Sequence, residues 1–224
     1  LFQKKYIFKY IKMFSSFSKV LIIAPHTDDA EFGCGGTIAR LIDNNIDVYI
    51  ATFSACEKSV PRKYPSDILI KEFNEASKLL GVKKDNTFLF QYDVRVFNES
   101  RQAILQDLIS LREKLNPDLV FIPSTIDVHQ DHETISKEGI RAFKFSSILG
   151  YEMPWNNLSF ETSSFIFLKN EHIEKKIVAL KAYKSQENRP YANEEFIRSL
   201  ARTRGVQINT HYAEAFQVIR WIVK

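Results

Sequence analysis

Apolar residues recur along this chain in two alternating rhythms. Four short runs rich in β-branched and aromatic side chains, 19–24, 47–53, 86–90 and 119–123, read as strands. Between them lie longer stretches with helical spacing. One runs over 33–44 and is opened by Gly33-Cys34-Gly35-Gly36. The next, 66–80, carries Ile68, Phe73, Ala76, Leu79 and Leu80 and stops at Gly81. A third, 100–115, has Ser100 as its cap and Asn116-Pro117 as its stop, and a fourth covers 134–145. Residues 54–65 have no periodicity and read as a loop. After Gly150 the texture changes. Residues 160–168 alternate and are aromatic, which suits an edge strand or hairpin. Residues 171–185 and 194–203 look helical, and 212–223 is a last strand-like run that could be antiparallel. Strand–helix alternation of this kind predicts an α/β fold with a mostly parallel sheet and helices on both faces.

Composition narrows the picture. A chain of 224 residues, 45% apolar and 26% charged, is most naturally one domain with one large core. The net charge of +4 is small, and the basic residues are scattered apart from a cluster near the N-terminus, so charge does not argue for nucleic acid. Cys34 and Cys56 do not make a disulfide framework, and a reducing cytoplasm is the expectation. In residues 1–12 lysines interrupt the apolar side chains too often for a membrane span. That segment could lie on a membrane surface, pack on the body as a short helix, or be a leader ahead of Met13. We therefore divide the chain into an extension over 1–18 and one domain over 19–224.

The chemistry sits at two strand ends. Val20-Leu21-Ile22-Ile23-Ala24 runs into Pro25-His26-Thr27-Asp28-Asp29-Ala30-Glu31, and Leu119-Val120-Phe121-Ile122-Pro123 precedes Asp127-Val128-His129-Gln130-Asp131-His132. Ligands of parallel α/β sheets bind beyond the carboxyl ends of the strands, where both clusters fall. Imidazole and carboxylate together suit Zn²⁺ or another divalent transition metal. The clusters offer four candidate ligands, His26, Asp29, His129 and His132, one more than a catalytic zinc site uses. Zinc lowers the pKa of a water it holds to roughly 7, and a carboxylate such as Asp28 can take the proton. A spare His could hydrogen-bond an oxyanion or protonate a leaving group. His172 and His211 read as ordinary surface residues, and Cys34 as a small core residue. Gly33, Gly35 and Gly36 do not complete a dinucleotide fingerprint, and read as places where backbone passes close to the metal and helix packs on strand.

These clusters resemble the motifs of the LmbE-like, or PIG-L, family of zinc-dependent de-N-acetylases. The family's Ala-His-Pro-Asp-Asp-Glu reads here Pro25-His26-Thr27-Asp28-Asp29-Ala30-Glu31, with Thr27 in place of the usual proline, and His-x-Asp-His is matched fully by His129-Gln130-Asp131-His132. Lys184-Ser185-Gln186, Leu200-Ala201-Arg202-Thr203-Arg204-Gly205 and Tyr212-Ala213-Glu214-Ala215-Phe216 are similar to later family elements. The resemblance implies a Rossmann-like three-layer sandwich. It implies His26, Asp29 and His132 as metal ligands, Asp28 as general base, His129 as the oxyanion-stabilising group, and Asp131 as the residue that orients His129. Two departures stand out: a family arginine is missing at Leu69-Ile70-Lys71-Glu72, and Tyr183 replaces a His before Ser185-Gln186.

The implied activity is removal of an N-acyl group, most simply acetyl, from an amino sugar or sugar conjugate. The partner is then a small N-acetylated sugar, a nucleotide-linked sugar or a glycoconjugate, and a homo-oligomer is compatible with the pattern. Arg95, Tyr183 and Glu214 are the candidate substrate contacts. Tyr151, Trp155 and Tyr212 are candidate sugar platforms, and Arg202 and Arg204 candidate phosphate contacts. Two alternatives differ in chemistry: hydrolysis of another amide or hydration on the same fold, and a metal-binding scaffold without activity.

Overall fold

The computed structural model describes residues 17–223. The expectations for residues 1–12, including a surface-bound basic segment, lie outside it. Among the described residues, seven strands form one sheet: β1 (Lys19–Ala24), β2 (Asp47–Thr52), β3 (Thr87–Leu89), β4 (Leu119–Pro123), β5 (Ser147–Tyr151), β6 (Ser164–Leu168) and β7 (Tyr212–Arg220). The helices are α1 (Asp29–Asp43), α2 (Ile68–Leu80), α3 (Arg101–Leu115), α4 (Gln130–Ala142), α5 (Asn170–Leu180) and α6 (Glu194–Val206). The sheet order is β3-β2-β1-β4-β5-β7-β6. The first five strands are parallel, and β7 runs antiparallel between β5 and β6. The expected α/β architecture with a mostly parallel sheet is what forms.

β1 is apolar almost throughout because helices cover the sheet on both sides. Successive side chains point to opposite faces. Val20 and Ile22 join Ile38, Leu41, Phe73 and Ile177 in one core layer, beneath α1, α2 and α5. Leu21 and Ile23 join Ile104, Leu108 and Ile135 in the other, beneath α3 and α4. From β1 the chain moves outward to β2 and β3, then crosses to β4 on the other side of β1. That reversal opens a crevice at the carboxyl ends of β1 and β4.

Several elements differ from expectation. α1 begins at Asp29, not Gly33, so the glycines sit inside the helix. A Cβ on Gly33 would fall 2.5 Å from the Tyr151 ring, and one on Gly35 would fall 2.8 Å from Lys176. These glycines admit β5 and α5 to the helix; close passage at the metal is not their role. α4 starts at Gln130 because His129 caps it. β5 was not expected: Ser147-Ile148-Leu149-Gly150-Tyr151 follows the α4 pattern with little punctuation. Ser100 stands before α3 without a side-chain cap bond.

A buried ion pair holds α1 in place. Glu214 on β7 accepts the N–H groups of Gly36 (3.0 Å) and Thr37 (2.7 Å). Lys176 on α5 donates to the Phe32 carbonyl (2.6 Å) and to Glu214 (2.7 Å). The pair thus engages the donor of Gly36 and the acceptor of Phe32, which a plain helix would join to each other.

Candidate active site

The turn 25–28 carries His26 from the end of β1 into α1. Asp29 Oδ2 accepts the backbone N–H of His26 at 2.9 Å, which closes the turn and sets the two side chains side by side. The Tyr183 hydroxyl donates to the Thr27 carbonyl and pins the turn from below. Across the crevice, the β4–α4 loop supplies Asp127, His129, Asp131 and His132. Asp127 Oδ1 accepts the N–H of His129 at 2.9 Å, and His129 Nδ1 accepts the N–H of Asp131 at 3.2 Å.

Three atoms form a nearly equilateral triangle. His26 Nδ1 is 3.1 Å from Asp29 Oδ2, His132 Nε2 is 3.2 Å from the same oxygen, and the two nitrogens are 3.3 Å apart. A tetrahedral ion with ligand bonds of about 2.0–2.1 Å sets its ligand atoms about 3.3 Å apart. The remaining ring nitrogens face carboxylates: His26 Nε2 is 3.0 Å from Asp131 Oδ2, and His132 Nδ1 is 2.8 Å from Asp127 Oδ2. Such carboxylate backing fixes the tautomer that turns a lone pair toward a metal. His26, His129 and His132 also offer nitrogens within 4.8 Å of one another. His129 fits a ligand role less well, because its Nδ1 lone pair is spent on Asp131 N–H and its Nε2 therefore carries the hydrogen.

The electrostatics agree with a place for a cation. Burial works against charge on His26, but Asp29 and Asp131 outweigh it and raise its pKa to about 9. Burial acts likewise on His132, where Asp29 and Asp127 prevail and lift it to about 10. Asp29, though buried, is held well below the usual carboxylate range by the two histidines. Asp28 differs. Burial and the neighbouring Asp29 charge push it up to about 6, and its side chain makes no cap bond to α1. His129 is pulled down by burial and by the other two histidines, so it is the neutral imidazole of the group.

These groups open into a cavity of about 400 Å³, the size range of small-molecule sites. His26, Asp28, Asp29, His129 and His132 form its floor, and Arg95, Trp155, Arg189 and Tyr191 stand in its walls. Trp155, Arg95 and the metal-type donors thus line one cavity.

Other expectations are corrected. The Asp131 carboxylate faces His26, not His129; only its backbone N–H reaches His129, because His129 is the cap of α4. Tyr183 is buried behind the turn with its hydroxyl on Thr27, and Glu214 is buried against Lys176, so neither lines this cavity. Tyr151 is buried with its hydroxyl on the Ile23 carbonyl, and Tyr212 is buried as well. Arg204 pairs with Glu152, and Arg202 bonds the carbonyls of Thr210 and His211. His172 is buried beside Asp43, 3.3 Å away, while His211 is exposed as expected. Two residues escaped the sequence reading. Asp127 was part of the second cluster without a role, and a rule that each metal-binding His needs a carboxylate behind it would have found it. Arg189 lies in a loop without a motif and left no signal.

The model of the PIG-L family, described as GlcNAc-PI de-N-acetylase, matches residues 21–143, a stretch holding both clusters. The chain belongs to the PIG-L family. Its relatives are named deacetylases, and the chain is a hydrolase of that class. An uncharacterized deacetylase of Escherichia coli, YaiS, is 32% identical over 173 residues, covering 74% of this chain and 90% of that protein. Diacetylchitobiose deacetylase of Thermococcus kodakarensis is 28% identical over 149 residues, 63% of this chain and 55% of that protein. The fold of this PIG-L member matches the N,N'-diacetylchitobiose deacetylase of Pyrococcus horikoshii with a TM-score of 0.78 at 23% identity, over 98% of this chain and 93% of that one.

Proposed function

We propose that this PIG-L member is a zinc-dependent de-N-acetylase that removes acetyl from the nitrogen of an amino sugar or sugar conjugate. The observation that carries the reading is the triangle of His26 Nδ1, Asp29 Oδ2 and His132 Nε2 with one further carboxylate, Asp28, beside it. The deacetylase names of its relatives supply the reaction class. The mixed nitrogen and oxygen donor set favours zinc over the hard, oxygen-seeking cations.

A divalent ion held by the three ligands supplies a Lewis acid that polarises the acyl carbonyl and acidifies a water molecule. Asp28 takes the proton of the attacking water on its carboxylate. Asp28 lies beside the three ligands with no cap bond to α1, which leaves its carboxylate free to accept that proton and give it up again. His129, neutral, donates a hydrogen bond from Nε2–H to the carbonyl oxygen as negative charge builds there and keeps its proton throughout. Asp28 then passes the proton to the leaving nitrogen, so that amine and acetate depart. Asp131 and Asp127 hold His26 and His132 in the required tautomers. Cys34 and Cys56, buried and unpaired, support a cytoplasmic setting.

Acetate release from N-acetylated sugars, free, nucleotide-linked and glycosidic, tests the reading. We expect release that a chelator abolishes and zinc restores. Release that a chelator leaves intact, or none from any such sugar, overturns it.

A further inference from the structure

The carboxylate of Asp131 is wholly buried, and its donors reach it from two sides. His26 Nε2 lies 3.0 Å from Oδ2. The other donors are main-chain groups of the β3–α3 loop. The N–H of Arg95 meets Oδ2 at 2.6 Å, and the N–H of Phe97 meets Oδ1 at 3.3 Å. Backbone N–H groups this close in sequence converge on one anion when the chain between them bends out of strand and helix geometry. The bend is at Arg95, whose φ is 74°, and Val96 follows at φ −132° and ψ 24°. Side chains other than glycine's enter positive φ at an energetic cost. A non-glycine residue is thus held in that shape at the point where its N–H faces the carboxylate.

The contact is made by the Arg95 backbone. Its side chain is exposed, with Nη2 3.4 Å from the Ser59 hydroxyl. The loop meets α4 once more, where Gln130 Nε2 donates to the Arg95 carbonyl at 3.4 Å. Phe97 is buried with its ring 6.1 Å from that of His26. The chain of contacts therefore runs from the loop N–H groups to Asp131, from Asp131 to His26 Nε2, and from His26 Nδ1 into the triangle.

We propose that Arg95 is a positioning residue for the metal site, acting through its left-handed backbone and not through its guanidinium group. By aiming its N–H at Asp131 it fixes the carboxylate behind His26, and so sets how tightly the metal is held. This deepens the metal reading and rests on it.

The test is zinc affinity, measured by competition of the metal-free protein with a chelating dye, for wild type, Arg95→Gly, Arg95→Asn, Arg95→Val and Arg95→Pro. Glycine and asparagine accept positive φ and keep the N–H. Valine is β-branched and poorly suited to positive φ, and proline fixes φ at about −65° and has no N–H. We expect Arg95→Gly and Arg95→Asn to hold zinc as tightly as wild type, although both lack the guanidinium group. Arg95→Val and Arg95→Pro should hold it about tenfold or more weakly. In an Asp131→Ala background, where no carboxylate is left to fix, adding Arg95→Pro should weaken zinc binding no further. Loss of affinity in Arg95→Gly equal to that in Arg95→Val overturns the proposal, because the side chain is then what matters. So does a further loss on adding Arg95→Pro to Asp131→Ala, because the loop then acts by another route. If Arg95→Pro does not fold, the comparison of Arg95→Val with Arg95→Gly decides, and equal wild-type affinity in the two overturns the proposal. A wild type with no affinity for zinc overturns the metal reading and this proposal together, whereas equal affinities across all variants overturn this proposal alone.

Discussion

The carboxylate of Asp131 lies 3.0 Å from Nε2 of His26, while the N–H of the same residue holds Nδ1 of His129. One residue thus sets both histidines, through different atoms. The backbone N–H groups of Arg95 and Phe97 fix that carboxylate in turn, at 2.6 and 3.3 Å. Its effect on metal binding therefore runs through the side chain, and its effect on His129 through the main chain.

Asp131→Asn separates the two. The backbone bond to His129 survives, and the carboxylate behind His26 is lost. Zinc affinity should fall by about 10–100-fold, the usual effect of removing such a backing group. Competition with a chelating dye measures it. Unchanged affinity with a lowered rate would mean that Asp131 acts on His129 after all.

The Lys176–Glu214 pair makes a prediction about stability. Removing one partner leaves a buried charge facing helix groups and costs about 3–5 kcal/mol, whereas replacing both with apolar residues of similar volume is far milder. Lys176→Met should therefore lower the urea midpoint sharply, and Lys176→Met with Glu214→Leu should recover part of it. Additive losses in the double variant would show that the pair is not coupled. The N–H groups of Gly36 and Thr37 limit that recovery, since both bond Glu214.

His172 gives a pH-dependent term. Burial, opposed by Asp43 and Glu171, lowers its pKa from the ordinary 6.5. Below about 6.5 the unfolded chain takes up a proton that the folded protein resists. The contribution of His172 to stability is complete above that pH and is lost as the pH falls through the folded value. His172→Gln should flatten the fall in urea midpoint between pH 7.5 and 5.5 relative to wild type. A slope as steep as the wild type's would contradict the assignment.

The sequence made β1, β4 and both clusters legible for a simple reason. Buried parallel strands are continuous apolar runs, and polar residues at their ends are conspicuous against them. The candidate donors could be narrowed to four because they lie within two short segments, and the family resemblance is what singled out three of them. Side chains that act across the fold left no such trace. Tyr183 and Glu214 sit in motif-like stretches, yet each is spent on packing α1 and its leading turn, to Thr27 in one case and to Lys176 in the other. β5 escaped because a five-residue strand after a helix has no punctuation, and Arg189 because a loop residue's direction is set by tertiary contacts.

The central claim is that Asp28 moves the proton while His26, Asp29 and His132 hold the metal. Asp28→Asn keeps the size of the side chain and removes the base. Zinc content by elemental analysis and acetate release on a substrate the wild type turns over are to be measured on the same sample. The account predicts full zinc occupancy with acetate release lower by about 10²–10⁴-fold. A variant that keeps both its zinc and its rate would contradict it.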